Sequence, residues 1–234
     1  MPALVHGTRK HLLLLVAMIS LLIAQPVLGH LSLVAGACFD LLFGLISVYL
    51  FFILFAEPWE RRGALALALP ALAANFGFYV LPERDQIVVA VIFHSFTVLF
   101  LGLAVAVMLR DIFRKNMIGA DEVLGALCGY MLGGIAWANV YMLTYFLVPQ
   151  AFSVKSEVAW RLALPHLRRA LFDFLSFATL TGLGYSEITP VGPPMYSLTW
   201  LEVLFGQFYM AAVVAQLVGL KLASAVRSEG RGSR

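Results

Sequence analysis

Long apolar stretches separated by short polar segments dominate the chain. A helix needs roughly 20 mostly apolar residues to cross the hydrocarbon core of a bilayer. Six stretches approach or exceed this length and are predicted to span the membrane: Leu12–Leu28, Ser32–Ala56, Ala64–Leu81, Ile87–Leu109, Val123–Val148 and Leu198–Val226. A seventh, Ala170–Thr181, is too short to span, so we expect it to enter and leave the membrane on one side.

The composition agrees with this pattern. The chain is 62% hydrophobic and 12% charged, and its mean hydropathy is +0.91. These values exclude a soluble globular domain and predict an all-α membrane protein. The net positive charge of +3 forms no stripe of basic residues on a soluble face, so neither a nucleic acid nor a soluble partner is expected. The predicted surroundings are the lipid bilayer.

The positions of lysine and arginine predict the orientation, because cytoplasmic loops carry an excess of both. With the N-terminus in the cytoplasm, eleven of the 16 basic residues fall on the cytoplasmic side and five on the outer side. We therefore predict a multi-pass plasma-membrane protein with both termini in the cytoplasm. The first span also resembles a cleavable signal peptide, with Arg9 and Lys10 before the apolar run. Cleavage would leave the later helices in the same orientation.

One motif near the C-terminus points to a function. Residues Thr179–Pro190 read Thr-Leu-Thr-Gly-Leu-Gly-Tyr-Ser-Glu-Ile-Thr-Pro. This stretch resembles the selectivity filter of the potassium channel pore-loop superfamily, whose small prokaryotic members often read Thr-Leu-Thr-Thr-Leu-Gly-Tyr-Gly-Asp-Ile-Thr-Pro. Three flanking stretches resemble the pore, inner and outer helices of that family: Ala170–Thr181, Leu201–Tyr209 and Leu127–Asn139. The resemblance covers about Asp121 to Ala225.

The resemblance implies six transmembrane helices with a re-entrant pore helix and a filter loop between the fifth and sixth. It implies a passive cation channel whose expected permeant monovalent ion is potassium, with no cofactor. Filters of this kind coordinate ions with rings of backbone carbonyls from symmetric copies of one loop, so a homotetramer is expected. We call residues 181–187 the glycine loop. Its expected filter residues are Thr181, Gly182, Leu183, Gly184, Tyr185 and Ser186, and Glu187 is expected at the pore mouth.

Within the loop, the backbone of Gly182, Leu183, Gly184 and Tyr185 would bind K⁺, while the side chains of Leu183 and Tyr185 would pack against the scaffold. The side chain of Thr181 should also face the scaffold. Gly206, twenty residues after Ser186, matches the hinge glycine of the family's inner helix. Helical spacing places four residues of that helix toward the cavity: Gln207, Ala211, Val214 and Val218.

The implied domain plan has three parts. Residues 1–118 form a four-helix membrane domain, residues 119–226 the pore domain, and residues 227–234 a short cytoplasmic tail. The predicted fourth span, Ile87–Leu109, contains no arginine or lysine. Because such charges supply voltage dependence, a voltage sensor of the usual kind is absent.

Departures from the family pattern leave two alternatives open. Gly182 replaces the filter threonine and therefore lacks its hydroxyl. Ser186 replaces a glycine where a left-handed backbone would cost a side chain ~1–2 kcal/mol. In some relatives a neighbouring acid helps to hold the acidic residue at the pore mouth, and the matching position in this chain is Ala178. The alternatives are a weakly selective or non-selective cation channel and a non-conducting membrane protein with a pore fold.

Several polar residues lie within the predicted apolar segments. We hypothesise that Asp40 and His94 face each other with Asn75 nearby, and that protonation of His94 tunes the domain. Hydrogen bonding between helices, worth ~0.6 kcal/mol on average, is the favoured alternative. Glu202 is expected either to support the pore helix or to reach the membrane interface. Asp173 is expected to pair with Arg168 or Arg169, and no catalytic arrangement is recognised, so an enzyme is not predicted.

Overall fold

The computed structural model describes residues 2–28, 44, 46, 54–55, 57–80, 85–114, 120–184 and 187–232. Within these residues the chain is almost entirely helical. The elements follow in the order α1 Pro2–Leu28, α2 Pro58–Val80, α3 Gln86–Arg114, α4 Ala120–Leu147, β1 Phe152–Val154, α5 Pro165–Leu180, β2 Ile188–Pro190 and α6 Pro193–Gly232. Short 3₁₀ turns at Pro149–Ala151 and Ala159–Ala163 connect α4, β1 and α5.

Three of the described helices are long and apolar enough to cross a membrane. They are Gln86–Arg114, Asp121–Leu147 and Pro193–Gly219, which correspond to three of the six predicted spans. In α1 the side chains are described from His11 to Ala24, and this part forms an apolar helix. The predicted span Ser32–Ala56 lies almost wholly outside the described residues. The all-helical membrane class is thus confirmed, whereas the six-span plan stays a prediction.

The main core forms where α3 and α4 pack along each other, the most extensive contact between two described helices. Side chains from α1 and α6 join the same cluster, whose members include Leu14, Met18, Leu101, Met108, Leu132 and Tyr209. A polar contact also joins α1 to the start of α4, since Nδ1 of His11 lies 2.7 Å from Oδ1 of Asp121. Helix α4 therefore contacts α1, α3, α5 and α6, whereas α2 packs against α3.

Helix α5 is the short helix that precedes the glycine loop. It begins at Pro165, five residues before the predicted start of the apolar stretch. The difference has a local cause: proline fixes φ and lacks an amide hydrogen, so it suits the first position of a helix, and Leu164 before it is extended. Its 16 residues extend about 24 Å, which is less than the ~30 Å of a bilayer core.

A small two-stranded sheet, which the sequence did not predict, holds the segments on either side of α5 and the glycine loop. Strand β1 pairs antiparallel with β2, with Ser153 opposite Thr189. The pairing closes a loop that contains the whole of α5. Aromatic and aliphatic side chains from α4, β1, α5, β2 and α6 pack beneath this sheet, among them Tyr141, Phe152, Phe172, Ile188 and Met195.

Candidate functional site

The glycine loop begins with a tight reversal of the chain. Helix α5 ends at Leu180, and Gly182 takes a left-handed conformation with a φ of 73°. The amide of Leu183 donates to the carbonyl of Ala178 over 2.9 Å, and the amide of Gly182 donates to that of Thr179 over 3.0 Å. These two bonds form a Schellman motif, where glycine is preferred because a side chain disfavours positive φ. The sequence comparison related Gly182 only to a filter threonine, so the role of this glycine at the end of α5 was not predicted.

The next residues place a second left-handed glycine beside an exposed leucine. Gly184 has a φ of 83°, so Gly182, Leu183 and Gly184 form one short turn. Leu183 is 77% exposed in the single chain, and its predicted packing against the scaffold stays a prediction. The side chain of Thr181 is also exposed in the single chain, and its hydroxyl donates to the carbonyl of Phe177 over 2.7 Å. Backbone hydrogen bonds to α5 therefore fix the first residues of the loop.

Two expected filter residues, Tyr185 and Ser186, lie outside the described residues. The expected carbonyl coordination at Tyr185 therefore stays a prediction. So does the expected backbone strain at Ser186.

The acidic residue at the end of the loop is held by the segment that precedes α5. A guanidinium nitrogen of Arg161 (Nη1) lies 2.7 Å from Oε2 of Glu187, and both side chains are partly exposed. The backbone amide of Lys155 donates to the carbonyl of Glu187 over 3.1 Å. The carboxylate of Glu187 is thus paired with a cation from another segment of the chain. No spacing rule in the sequence links Arg161 to Glu187, so sequence reasoning missed this partner.

Behind the loop, three helices meet at a buried acid. Glu202 of α6 is fully buried; its Oε2 lies 2.5 Å from the hydroxyl of Tyr141 in α4, and its Oε1 lies 2.5 Å from Oγ of Ser176 in α5. Oγ of Ser176 also lies 2.8 Å from the carbonyl oxygen of Gly134 in α4. Of the two roles expected for Glu202, support of the helix before the loop is confirmed. We call Tyr141, Ser176 and Glu202 the acid clamp.

Two glycines allow the helices to approach α5 closely. A methyl group on Gly206 of α6 would come within 2.5 Å of the carbonyl oxygen of Leu180, and one on Gly134 of α4 would come within 2.7 Å of the Phe177 ring. Helix α6 is continuous through Gly206. Close packing therefore accounts for this glycine, and the hinge predicted there stays a prediction.

The four residues predicted to line a cavity share one face of α6. Gln207, Ala211, Val214 and Val218 are all exposed in the single chain. The opposite face carries the buried residues Glu202, Gly206, Tyr209 and Val213. Among the described residues α6 thus has one packed face and a face that is exposed, and the cavity predicted along the exposed face stays a prediction.

Of the polar residues in the hypothesis, His94 and Asn75 lie within the described part of the chain, so the facing of Asp40 and His94 stays a prediction. Buried His94 of α3 places Nδ1 2.8 Å from Oδ1 of Asn139 in α4, and the amide of Asn139 donates to the carbonyl of Ile135 over 2.7 Å. This assigns Nδ1 as the donor. Asn75 is partly buried in α2, and Asp40 lies outside the described residues. His94 therefore joins α3 to α4, a contact of the kind that the favoured alternative describes.

Two arginines stand near the start of α5. Arg169 and Asp173 form an ion pair at 3.9 Å, one of the two pairings expected. Arg168 instead places its guanidinium over the ring of Phe146, 4.8 Å from the ring centre, and donates to the carbonyl of Leu162 over 3.1 Å. Burial lowers the pKa of the Arg168 guanidinium below its ordinary value. Arg168 therefore attaches α5 to its surroundings, whereas the pair of Arg169 with Asp173 lies within the helix.

Within the described part of the chain, no group of three or more His, Cys, Asp or Glu side chains is placed to hold a metal ion. Comparison with protein-family models, with curated proteins and with solved structures gives no match to this chain. The geometry of the glycine loop and its supports therefore carries the functional inference.

Proposed function

We propose that this chain is a subunit of a cation channel, with potassium the expected ion, that conducts passively through a homotetrameric filter lined by backbone carbonyls. The observation that carries the proposal is the glycine loop. Gly182 and Gly184 both adopt positive φ, in a loop that follows a helix too short to span a bilayer. A loop that exposes backbone to an ion needs such residues, since glycine tolerates conformations that side chains disfavour.

The surroundings of the loop support the same proposal. Helix α5 would be the re-entrant pore helix, entering and leaving on the outer side, with its C-terminal end directed toward the ion path. That end carries a partial negative charge, which favours a cation. Strands β1 and β2 and the acid clamp would hold the helix and the loop in place while ions pass.

The surface of α6 favours a homo-oligomer. Only 22% of its apolar stretch is buried within the chain, against 56% of that of α4. Large apolar side chains lie exposed along α6 and in the loop, among them Leu183, Trp200, Leu201 and Phe208. Four copies around an axis would cover part of this surface and would give Leu183 a neighbouring chain to pack against. The remaining apolar surface would face lipid.

A weakly selective cation channel is the second candidate, and Gly182 favours it. The innermost ion site of the related filters includes a threonine hydroxyl, which glycine cannot supply. Selectivity would then depend on carbonyls and water alone. A non-conducting protein that kept the pore fold is the third possibility.

Ion flux from liposomes loaded with purified protein tests these candidates. We expect potassium flux that barium blocks and that exceeds sodium flux. Equal potassium and sodium fluxes would favour the non-selective channel, and no flux for either ion would favour the non-conducting protein.

A matched pair of variants ties any flux to the loop. Gly184→Ala introduces a side chain at positive φ within the loop, whereas Gly192→Ala does so beyond β2, where φ is 92°. Neither substitution meets another atom within 4 Å in the single chain, so backbone strain is the shared effect. We expect Gly184→Ala to abolish flux and Gly192→Ala to keep it. Equal loss in both variants would argue against the loop as the conduction path.

A further inference from the structure

If Glu202 is ionised, the acid clamp has three oxygen–oxygen contacts at hydrogen-bond distance but only two hydroxyl hydrogens, those of Ser176 and Tyr141. The Ser176 hydroxyl has one hydrogen but lies within hydrogen-bond distance of two oxygens, the carbonyl oxygen of Gly134 at 2.8 Å and Oε1 of Glu202 at 2.5 Å. With an ionised carboxylate, one of these contacts would join two oxygens without a hydrogen between them. A short buried contact of that kind is unfavourable.

A neutral Glu202 removes this conflict. Its hydroxyl donates to Oγ of Ser176, the Ser176 hydroxyl donates to the carbonyl of Gly134, and the Tyr141 hydroxyl donates to Oε2 of Glu202. Each of the three contacts then contains one hydrogen. Full burial points the same way, because an ionised carboxylate without a cationic partner is expensive to bury.

The groups that surround Glu202 supply no compensating positive charge in the described part of the chain. From α5 it faces Ser176 and from α4 it faces Tyr141, with the Tyr130 phenol further along the same helix. The Tyr141 hydroxyl in turn interacts with Thr179 of α5 and with Thr199 of α6. All of these partners are uncharged at neutral pH. The buried Glu60 differs, since Arg110 pairs with it.

We propose that Glu202 is a positioning residue that acts in its protonated form and fixes the short helix behind the glycine loop. The proposal rests on the proposed channel function as far as conduction is concerned. Ser176 lies one turn before the end of α5, and Glu202 lies one turn before Gly206, which contacts the last carbonyl of α5. The clamp therefore holds the part of α5 from which the loop emerges.

Raising the pH removes the proton from Glu202 and leaves an ionised carboxylate. The Ser176 hydroxyl can then donate to the carboxylate or to the carbonyl of Gly134 but not to both, so one of the contacts that attach α5 to α4 and α6 is lost. The expected results are lower thermal stability and loss of ion flux at alkaline pH. Glu202→Gln mimics the neutral acid, because its amide nitrogen donates to Ser176 and its carbonyl accepts from Tyr141.

Infrared spectroscopy of the purified protein in lipid tests the protonation state without any flux. At neutral pH we expect the C=O stretching band of a neutral carboxylic acid in the native protein and its absence in Glu202→Gln. Glu157→Gln is the matched control, because Glu157 is exposed and the band should be unchanged. Identical spectra of native protein and Glu202→Gln at neutral pH would overturn the proposal.

Thermal stability and liposome flux, measured from neutral to alkaline pH, test the consequence. We expect the native protein to lose both as the pH rises and Glu202→Gln to keep both; parallel losses in the two proteins would overturn the proposed role. If neither protein conducts but the infrared band and the difference in stability are present, the channel function fails and the protonated clamp stands. Should Glu202→Gln fail to fold, Tyr141→Phe serves instead. Tyr141→Phe keeps the carboxyl group of Glu202 but removes the hydroxyl that donates to its Oε2. An unshifted C=O band in this variant would contradict the proposed contacts of Glu202.

Discussion

Gly206 of α6 lies directly against the carbonyl group of Leu180, the last residue of α5: a methyl group on Gly206 would come within 2.5 Å of that oxygen. The atom in the way belongs to the backbone, so it cannot move aside as the end of a flexible side chain could. The contact places α6 against the point from which the glycine loop emerges.

The first prediction concerns Gly206→Ala. We expect it to destabilise the protein by ~1–3 kcal/mol, the usual cost of overpacking, and to abolish flux because α5 must shift. Gly219→Ala in the same helix is the control, since no atom lies within 4 Å of the added methyl group. Alanine favours a helix over glycine by about 1 kcal/mol, so Gly219→Ala should be as stable as the native protein or more so. Thermal unfolding and liposome flux measure both effects.

A hinge at Gly206 makes a different prediction from close packing. Loss of a hinge would change opening while leaving the stability of Gly206→Ala near that of the native protein. Native stability with altered flux would therefore favour the hinge, and lost stability with lost flux favours the packing contact.

The second prediction introduces, at position 182, the threonine found in the filters that the glycine loop resembles. Gly182→Thr places a branched side chain at a φ of 73°, which should cost ~1–2 kcal/mol and weaken the Schellman end of α5. Gly182→Asn should cost less, because asparagine tolerates the left-handed conformation better than other side chains. Thermal unfolding of both variants measures the difference. A Gly182→Thr variant that is more stable than Gly182→Asn would show that the conformation of the loop does not require glycine.

The third prediction concerns the pairing of Arg161 with Glu187. Arg161→Gln frees the carboxylate, which should attract cations to the mouth and raise potassium flux at low salt; high salt screens the effect. A double-mutant cycle with Glu187→Gln should give a coupling of ~0.2–1 kcal/mol, as expected for a partly exposed pair. Lys155→Gln is the control: it removes the same charge nearby, but Lys155 contacts Glu187 only through its backbone amide. An equal rise in flux in both variants would indicate a general effect of charge.

The fourth prediction concerns His94. His94→Ala leaves the buried side-chain oxygen of Asn139 without its donor, which should cost ~1–3 kcal/mol of stability. We expect the shape of the pH profile of flux between pH 5 and 8 to be the same as in the native protein, because the imidazole serves as a structural donor. A profile that flattens in His94→Ala would instead support a protonation switch. Thermal unfolding and flux across this pH range separate the two roles.

The length of the apolar runs predicted three of the long helices. Ile87–Leu109, Val123–Val148 and Leu198–Val226 each correspond to a long apolar helix, because burial in lipid requires an apolar run of sufficient length. The two short strands were not predicted, since each has three residues and depends on a partner far along the chain.

The candidate site likewise has features that the sequence predicted and contacts that it did not. The sequence by itself determined the position of the glycine loop, the short helix before it and the acid at its end, because these are local patterns of residue type. Only the tertiary structure decided that Arg161 holds Glu187, that Tyr141 and Ser176 enclose Glu202, and that Gly206 meets Leu180. These partners lie 26 to 61 residues apart in the chain. Spacing in the sequence carries no signal for them, because the packing of α4, α5 and α6 brings them together.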